Sequence, residues 1–206
     1  MKNLLTPPTF DDFLTLLRAW RLWLVGALLG GLLGMAVYAV FPPAYRARAI
    51  VMVDLNVEKN FPISPDREIF YYLDRETRQL QEIAWSDAVL QEVSGKNRLS
   101  VVDLRSGTLS LSQPGDGGWH FYADSADSGL AAKLARDWAL AFSAKAHPEG
   151  ITITPTQIEN LKTTRTVPLG TYTLAGATLG MVTLAFLSLY WNPKSPDFGK
   201  SNVGDV

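Results

Sequence analysis

Residues 22–53 read LWLVGALLGGLLGMAVYAVFPPAYRARAIVMV, an uncharged apolar run that turns, within four residues, into a strict alternation. The run covers 22–41. At 1.5 Å rise per residue, 20 residues of helix span about 30 Å, the hydrocarbon thickness of a bilayer. From Tyr45 onward, Tyr45, Ala47, Ala49, Val51 and Val53 share one face, and Arg46 and Arg48 take the other. That is the period of a half-buried strand. A membrane helix feeding directly into a strand is therefore the first structural expectation.

A second uncharged run, VPLGTYTLAGATLGMVTLAFLSLYW, occupies 167–191. Aromatic residues flank both runs where a bilayer interface would lie: Trp20, Trp23, Tyr38, Phe41 and Tyr45 for the first, and Tyr172, Tyr190 and Trp191 for the second. The first run is longer than the roughly 7–15 apolar residues of a signal peptide core. Both runs read as transmembrane helices.

Glycine costs roughly 1 kcal/mol relative to alanine in a helix in water, yet Gly26, Gly30 and Gly34 recur four apart in the first span. Residues four apart share a helix face. The second span repeats the device with Gly176 and Gly180. In lipid, helices associate by close packing, and small residues let backbones approach. The glycines thus mark a helix–helix contact, either with the other helix of the same chain or with a second copy. Neither span holds Asp, Glu, Lys, Arg or His, which ion and proton pathways require.

Two spans divide the chain into 1–21, 22–41, 42–166, 167–191 and 192–206. The first segment contains TFDDFLTLLRAW. Thr9 and Asp12 form a capping-box pattern, and Phe13, Leu16, Leu17 and Trp20 make a short amphipathic helix. The last segment has two prolines, two glycines and little to bury, and is expected to be a flexible tail. Both termini lie on one side and 42–166 on the other. Lys2, Arg18, Arg21, Lys194 and Lys200 are nearly balanced by Arg46, Arg48, Lys162 and Arg165, so charge bias favours cytoplasmic termini only slightly.

The 125 residues of 42–166 suffice for one core. After the first strand, 67–84 has helical apolar spacing at Ile69, Leu73, Leu80, Ile83 and Ala84. Ser86 caps a second helix that Gly95 is expected to end. LSVVDL (99–104) and TLSLSQ (108–113) read as two strands, and WHFYA (119–123) as a third. Asp127 or Ser128 caps a helix whose Leu130, Leu134, Trp138 and Phe142 lie four apart. ITITPTQIENL (151–161) reads as one last strand. The fold class is α+β: a mostly antiparallel sheet with helices on one face, close to a split βαβ pattern, flanked by two transmembrane helices. If the first and last strands pair, they hold the two spans together.

Composition narrows the chemistry. The 19 Lys+Arg against 20 Asp+Glu give a net charge of −1 and no electrostatic reason for a nucleic-acid partner. Without cysteine there is no thiolate metal site and no cysteine nucleophile. His120 and His147 have no acidic partner in the sequence pattern, and the nearest carboxylate pairs, Asp54/Glu58, Asp74/Glu76 and Asp124/Asp127, read as solvated surface. FGKS (198–201) lacks the first glycine of a phosphate-binding loop, since Lys194 holds that position. Arg67, Arg75, Arg78, Arg98 and Arg105 are interleaved with Glu68, Glu76 and Glu82, the pattern of a salt-bridged face. No enzyme, metal or cofactor is expected.

The order of pieces resembles the Wzz-type chain-length determinant family of polysaccharide co-polymerases. The likeness runs over 9–191 and rests on PPAYRARAIVMV after the first span, IAWSDAVLQEV, SADSGLAAKLARDWALAF, and GATLG eight residues past Pro168. Tyr45, Ala47 and Pro168 occupy the family-like positions. The resemblance implies a non-catalytic inner-membrane scaffold, a homo-oligomeric ring in contact with membrane lipid, whose soluble part lies outside the cytoplasm. It implies control of the length or export of O-antigen, capsule or exopolysaccharide, with a membrane polymerase, a separate tyrosine kinase and the polysaccharide itself as partners. The chain is most similar to the minimal members without a kinase domain. The competing expectation is a structural subunit of another membrane assembly that reuses the domain.

Overall fold

The computed structural model describes residues 20–60, 66–113, 117–146 and 151–191. In chain order the elements are α1 (Trp20–Val40), β1 (Tyr45–Asp54), a single turn α2 (Val57–Asn60), α3 (Asp66–Ala84), α4 (Asp87–Asn97) and a short α5 (Val101–Asp103). Then come β2 (Leu109–Ser112), β3 (Gly118–Ser125), α6 (Ser128–Lys145), β4 (Thr152–Gln157), β5 (Thr163–Arg165) and α7 (Leu169–Trp191). They form two compact units. One is helical and contains α1 and α7, and the other is the α+β unit of residues 43–166.

In the helical unit, Trp20–Val40 and Leu169–Ser188 are long and apolar enough to cross a bilayer. Three of the four threonines of α7 satisfy their own polarity. Thr173, Thr178 and Thr183 each donate a hydroxyl hydrogen bond to the carbonyl four residues earlier, at 3.1, 2.9 and 2.8 Å. Their polarity is satisfied within the helix. The expected helix over 9–20 falls outside the described residues except for Trp20, as do the expected tail at 192–206 and His147.

In the α+β unit every strand pairing is antiparallel, and the order is β2-β3-β1-β4, with β5 also on β1. This βαββαβ arrangement is the split βαβ pattern read from the sequence. The alternation in β1 holds throughout: Ala47, Ala49 and Val51 are fully buried and Val53 nearly so, while Arg46, Arg48, Met52 and Asp54 are exposed. α6 lies over β1 and β3, with α4 and α3 packed on it. Alanines on both sides of that contact (Ala47 and Ala49 on β1; Ala131, Ala135 and Ala139 on α6) let helix and sheet approach. The bulk is aromatic. Phe121 stands edge-on to Trp138 at 4.9 Å, Trp119 stacks on Phe142 at 5.5 Å, and Trp85 meets Trp138 at 4.9 Å. The buried indole N–H of Trp138 donates to the Ala84 carbonyl at 2.9 Å, so even this polar atom is satisfied.

Three local expectations are corrected. Residues 99–104 are not a strand. Ser100 and Asp103 cap each other, the hydroxyl accepting from the Asp103 N–H and donating to its carboxylate, and α5 with a π-type turn at Leu104–Thr108 results. A local side-chain cap has outcompeted the β-propensity of Val101 and Val102. Gly95 does not end α4. The helix continues to Asn97, and Arg98 takes the left-handed conformation (φ 55°) with its N–H on the Ser94 carbonyl. Asn97 supports the extra turn by donating to the Val93 carbonyl at 3.0 Å. The last strand is two. β1 shifts register between Ile50 and Val51, so β4 pairs with its second half and β5 with Tyr45–Ala47; Asn160 (φ 50°) lies in the connection.

Candidate functional site

Two arrangements concentrate the residues singled out in the sequence. The first is the seam between α1 and α7. Gly26 meets Gly180, Gly30 meets Gly176, and Gly34 meets Tyr172, so each step of four along α1 is matched by a step of four back along α7. A Cβ on Gly26 would stand 2.5 Å from the Gly180 carbonyl oxygen; one on Gly30 would land on that of Gly176, and one on Gly176 on that of Gly30. The nearest obstacles are backbone atoms, joined at Gly26 by the Leu184 Cβ, so no flexible side-chain end can move aside to make room. Gly26, Gly30 and Gly34 are buried in this contact. Tyr38 closes one end, edge-on to Tyr172 at 5.4 Å. The sequence left two partners open for the glycine row, and the structure uses it within one chain. Gly31, although buried, is different: a Cβ there meets Thr173 at an ordinary 3.7 Å.

The second arrangement lies where the chain enters and leaves the α+β unit. Tyr45 pairs with Arg165 across β1 and β5, and the Thr166 N–H donates to the Ala44 carbonyl at 2.9 Å. The Arg165 guanidinium sits over the Tyr45 ring at 4.4 Å, donates to the Tyr45 hydroxyl at 3.0 Å and to the Pro43 carbonyl at 2.9 Å. Cation–π attraction and charge-assisted hydrogen bonds thus act on one side chain. Tyr45 is therefore part of a clamp, Ala47 is a fully buried core residue, and Pro168 belongs to the helical unit, where its carbonyl accepts from the Thr171 N–H at 3.1 Å. Sequence reasoning found Tyr45 and missed Arg165. No local signal marked it, because residue 165 lies beyond the single last strand read at 151–161 and faces Tyr45 only through the separate strand β5.

The face of the sheet away from the helices is polar. Arg46 forms a two-point ion pair with Asp124 at 2.8 and 2.6 Å and lies over the Tyr122 ring at 5.7 Å. The Asp124 hydrogen bond raises the Arg46 pKa further above its usual value. His120 Nδ1 lies 3.3 Å from the Tyr122 hydroxyl.

Of the carboxylate pairs noted in the sequence, five of the six side chains have structural tasks, Asp124 through Arg46 as above. Asp54 accepts from the Asn56 N–H, Asp74 pairs with Arg78, Glu76 pairs with Arg75, and Asp127 caps α6 through the Leu130 N–H. On α3 the exposed Arg78–Asp74 pair fits the helical spacing, but Glu76 is buried beside its chain neighbour Arg75, so the solvated-surface expectation is corrected at that residue. Among the described residues, no group of three His, Asp or Glu side chains is placed to hold a metal. Neither the scan against protein-family models nor the search of curated proteins finds a match for this sequence.

Proposed function

We propose that the chain is a non-catalytic scaffold of the bacterial inner membrane that sets the chain length or export of a surface polysaccharide, acting with a membrane polymerase or a partner kinase. In this reading α1 and α7 cross the bilayer, both termini are cytoplasmic, and residues 42–166 form the extracytoplasmic part. The observation that carries it is the pairing of β1 with β5. The strand that follows the first apolar helix and the strand that precedes the second are hydrogen-bonded and clamped by Arg165. A domain closed at its base suits a part that must hold two membrane helices at fixed spacing rather than process a substrate. The Wzz-like order of motifs supplies the polysaccharide. The chain would act as a homo-oligomer, and because the glycine seam is occupied within each chain, copies would meet through other surfaces.

The test is the length distribution of surface polysaccharide on a gel, in a deletion strain and its complemented counterpart. Loss or shift of the modal length, restored by the gene, is expected. An unchanged distribution would overturn the reading and favour a structural subunit of another membrane assembly, identified by what co-purifies at fixed stoichiometry.

A further inference from the structure

We infer that a cleft between α6 and the β4–β5 connection is a binding site for a carboxylate of monosaccharide size. The cleft has a volume of about 430 Å³, at the small end of the roughly 300–1,000 Å³ usual for ligand pockets. Its charged rim comes from one flank of α6: Lys133, Arg136 and Asp137. Asn160, held at φ 50° in the connection, adds an amide from the other side. Leu140, Ile158 and Leu161 give it an apolar lining.

The charges are unequal in what they have left to offer. Asp137 already accepts a hydrogen bond from Asn97 at 2.9 Å. Lys133 donates to the Lys96 carbonyl at 3.2 Å and keeps two further N–H groups. Arg136 is exposed and has no carboxylate partner among the described residues. Two cations against one anion leave the rim with one net positive charge. The free guanidinium offers the paired donors that match a carboxylate. Arg136 would take the carboxylate, Lys133 a second oxygen, Asn160 and Asp137 hydroxyl groups, and the leucine and isoleucine side chains the apolar face of a ring.

The inference does not depend on the polysaccharide reading, because it is read on the purified protein. The full chain in detergent micelles is titrated with glucuronate, glucose and acetate, and the NMR shifts of Leu140, Ile158 and Leu161 are followed. Glucuronate should give saturable shifts, glucose none, and acetate about tenfold weaker binding. Arg136→Gln should weaken glucuronate about tenfold or more. Asp137→Asn, which can still accept from Asn97, should tighten it several-fold by removing a like charge. Absence of saturable shifts with glucuronate overturns the site. Equal binding of glucose removes the carboxylate as the handle, and equal binding of acetate removes the sugar-sized body. Undiminished binding by Arg136→Gln removes the assigned donor. Saturable binding together with an unchanged polymer length in cells would leave the site standing and remove only the polysaccharide function.

Discussion

Adjacent glycines in α1 have opposite roles. Gly30 faces the Gly176 backbone, whereas Gly31 has room beside Thr173. Gly30→Ala should therefore destabilise the helix pair by about 1–3 kcal/mol, the usual cost of overpacking. Gly31→Ala should change stability by no more than about 0.5 kcal/mol. Thermal unfolding of both variants in detergent separates them, and equal effects would remove the seam as the cause. A second residue-scale consequence concerns Glu92 and Lys96, 2.8 Å apart on α4. Each holds the other charged: hydrogen bonding to Lys96 lowers the Glu92 pKa, and hydrogen bonding to Glu92 raises that of Lys96. On its alkaline side the pair's contribution is intact below the unfolded lysine value of about 10.4 and fades as pH rises through the raised folded value of Lys96. The Glu92 contribution is present above about 4.3 and fades as pH falls through the lowered one. Both groups are largely solvated, so the pair contributes about 0.3–0.5 kcal/mol before salt screening reduces it. The deficit of Lys96→Gln measured by denaturant melts at pH 7 should vanish near pH 2 and in 1 M salt.

Elements with one dominant signal were legible in the sequence. The alternation of β1, the four-residue stripe of α6 and the cap at Ser86 stand as read, and of the two candidates Asp127 and Ser128 the structure uses Asp127 to cap α6. The misread stretches are those where a side chain satisfies the backbone locally. Ser100 and Asp103 turn a strand-like run into a helical turn, and Asn97 carries α4 past Gly95. The split of the last strand depends on a register shift in β1, which lies a hundred residues away and leaves no local trace. The same holds for sites. The glycine spacing announced a seam but not its partner, and the Arg165 clamp needed the pairing of β1 with β5 to be visible. Arg165→Gln should lose the cation–π contact and the charge-assisted bonds to Tyr45 and Pro43 while leaving the core intact. Hydrogen exchange at the Thr166 amide should accelerate about tenfold, the equivalent of roughly 1.4 kcal/mol, with α6 amides unchanged.

At the scale of the whole molecule, the two compact units have different stabilising physics. Backbone approach of glycines holds the helical one, and an aromatic core holds the other. Substitutions should report on one unit at a time. Trp138→Ala empties the centre of the α+β core and should cost about 3–5 kcal/mol, moving that unit's calorimetric transition, whereas Gly30→Ala should move only the helical one. A single transition shifted by both would show that the units unfold together. The clamp between Pro43, Tyr45 and Arg165 also determines how the α+β unit answers tension. Its two chain ends emerge side by side from antiparallel strands. A pull between them opens β1 from β5 like a zipper, loading the Thr166–Ala44 hydrogen bond first and the next only after it breaks. Strands drawn lengthwise past each other would share the load among many bonds. The unit should therefore yield to small forces at its base while α6 and the aromatic core stay folded, a mechanical fuse at the point where the chain enters and leaves.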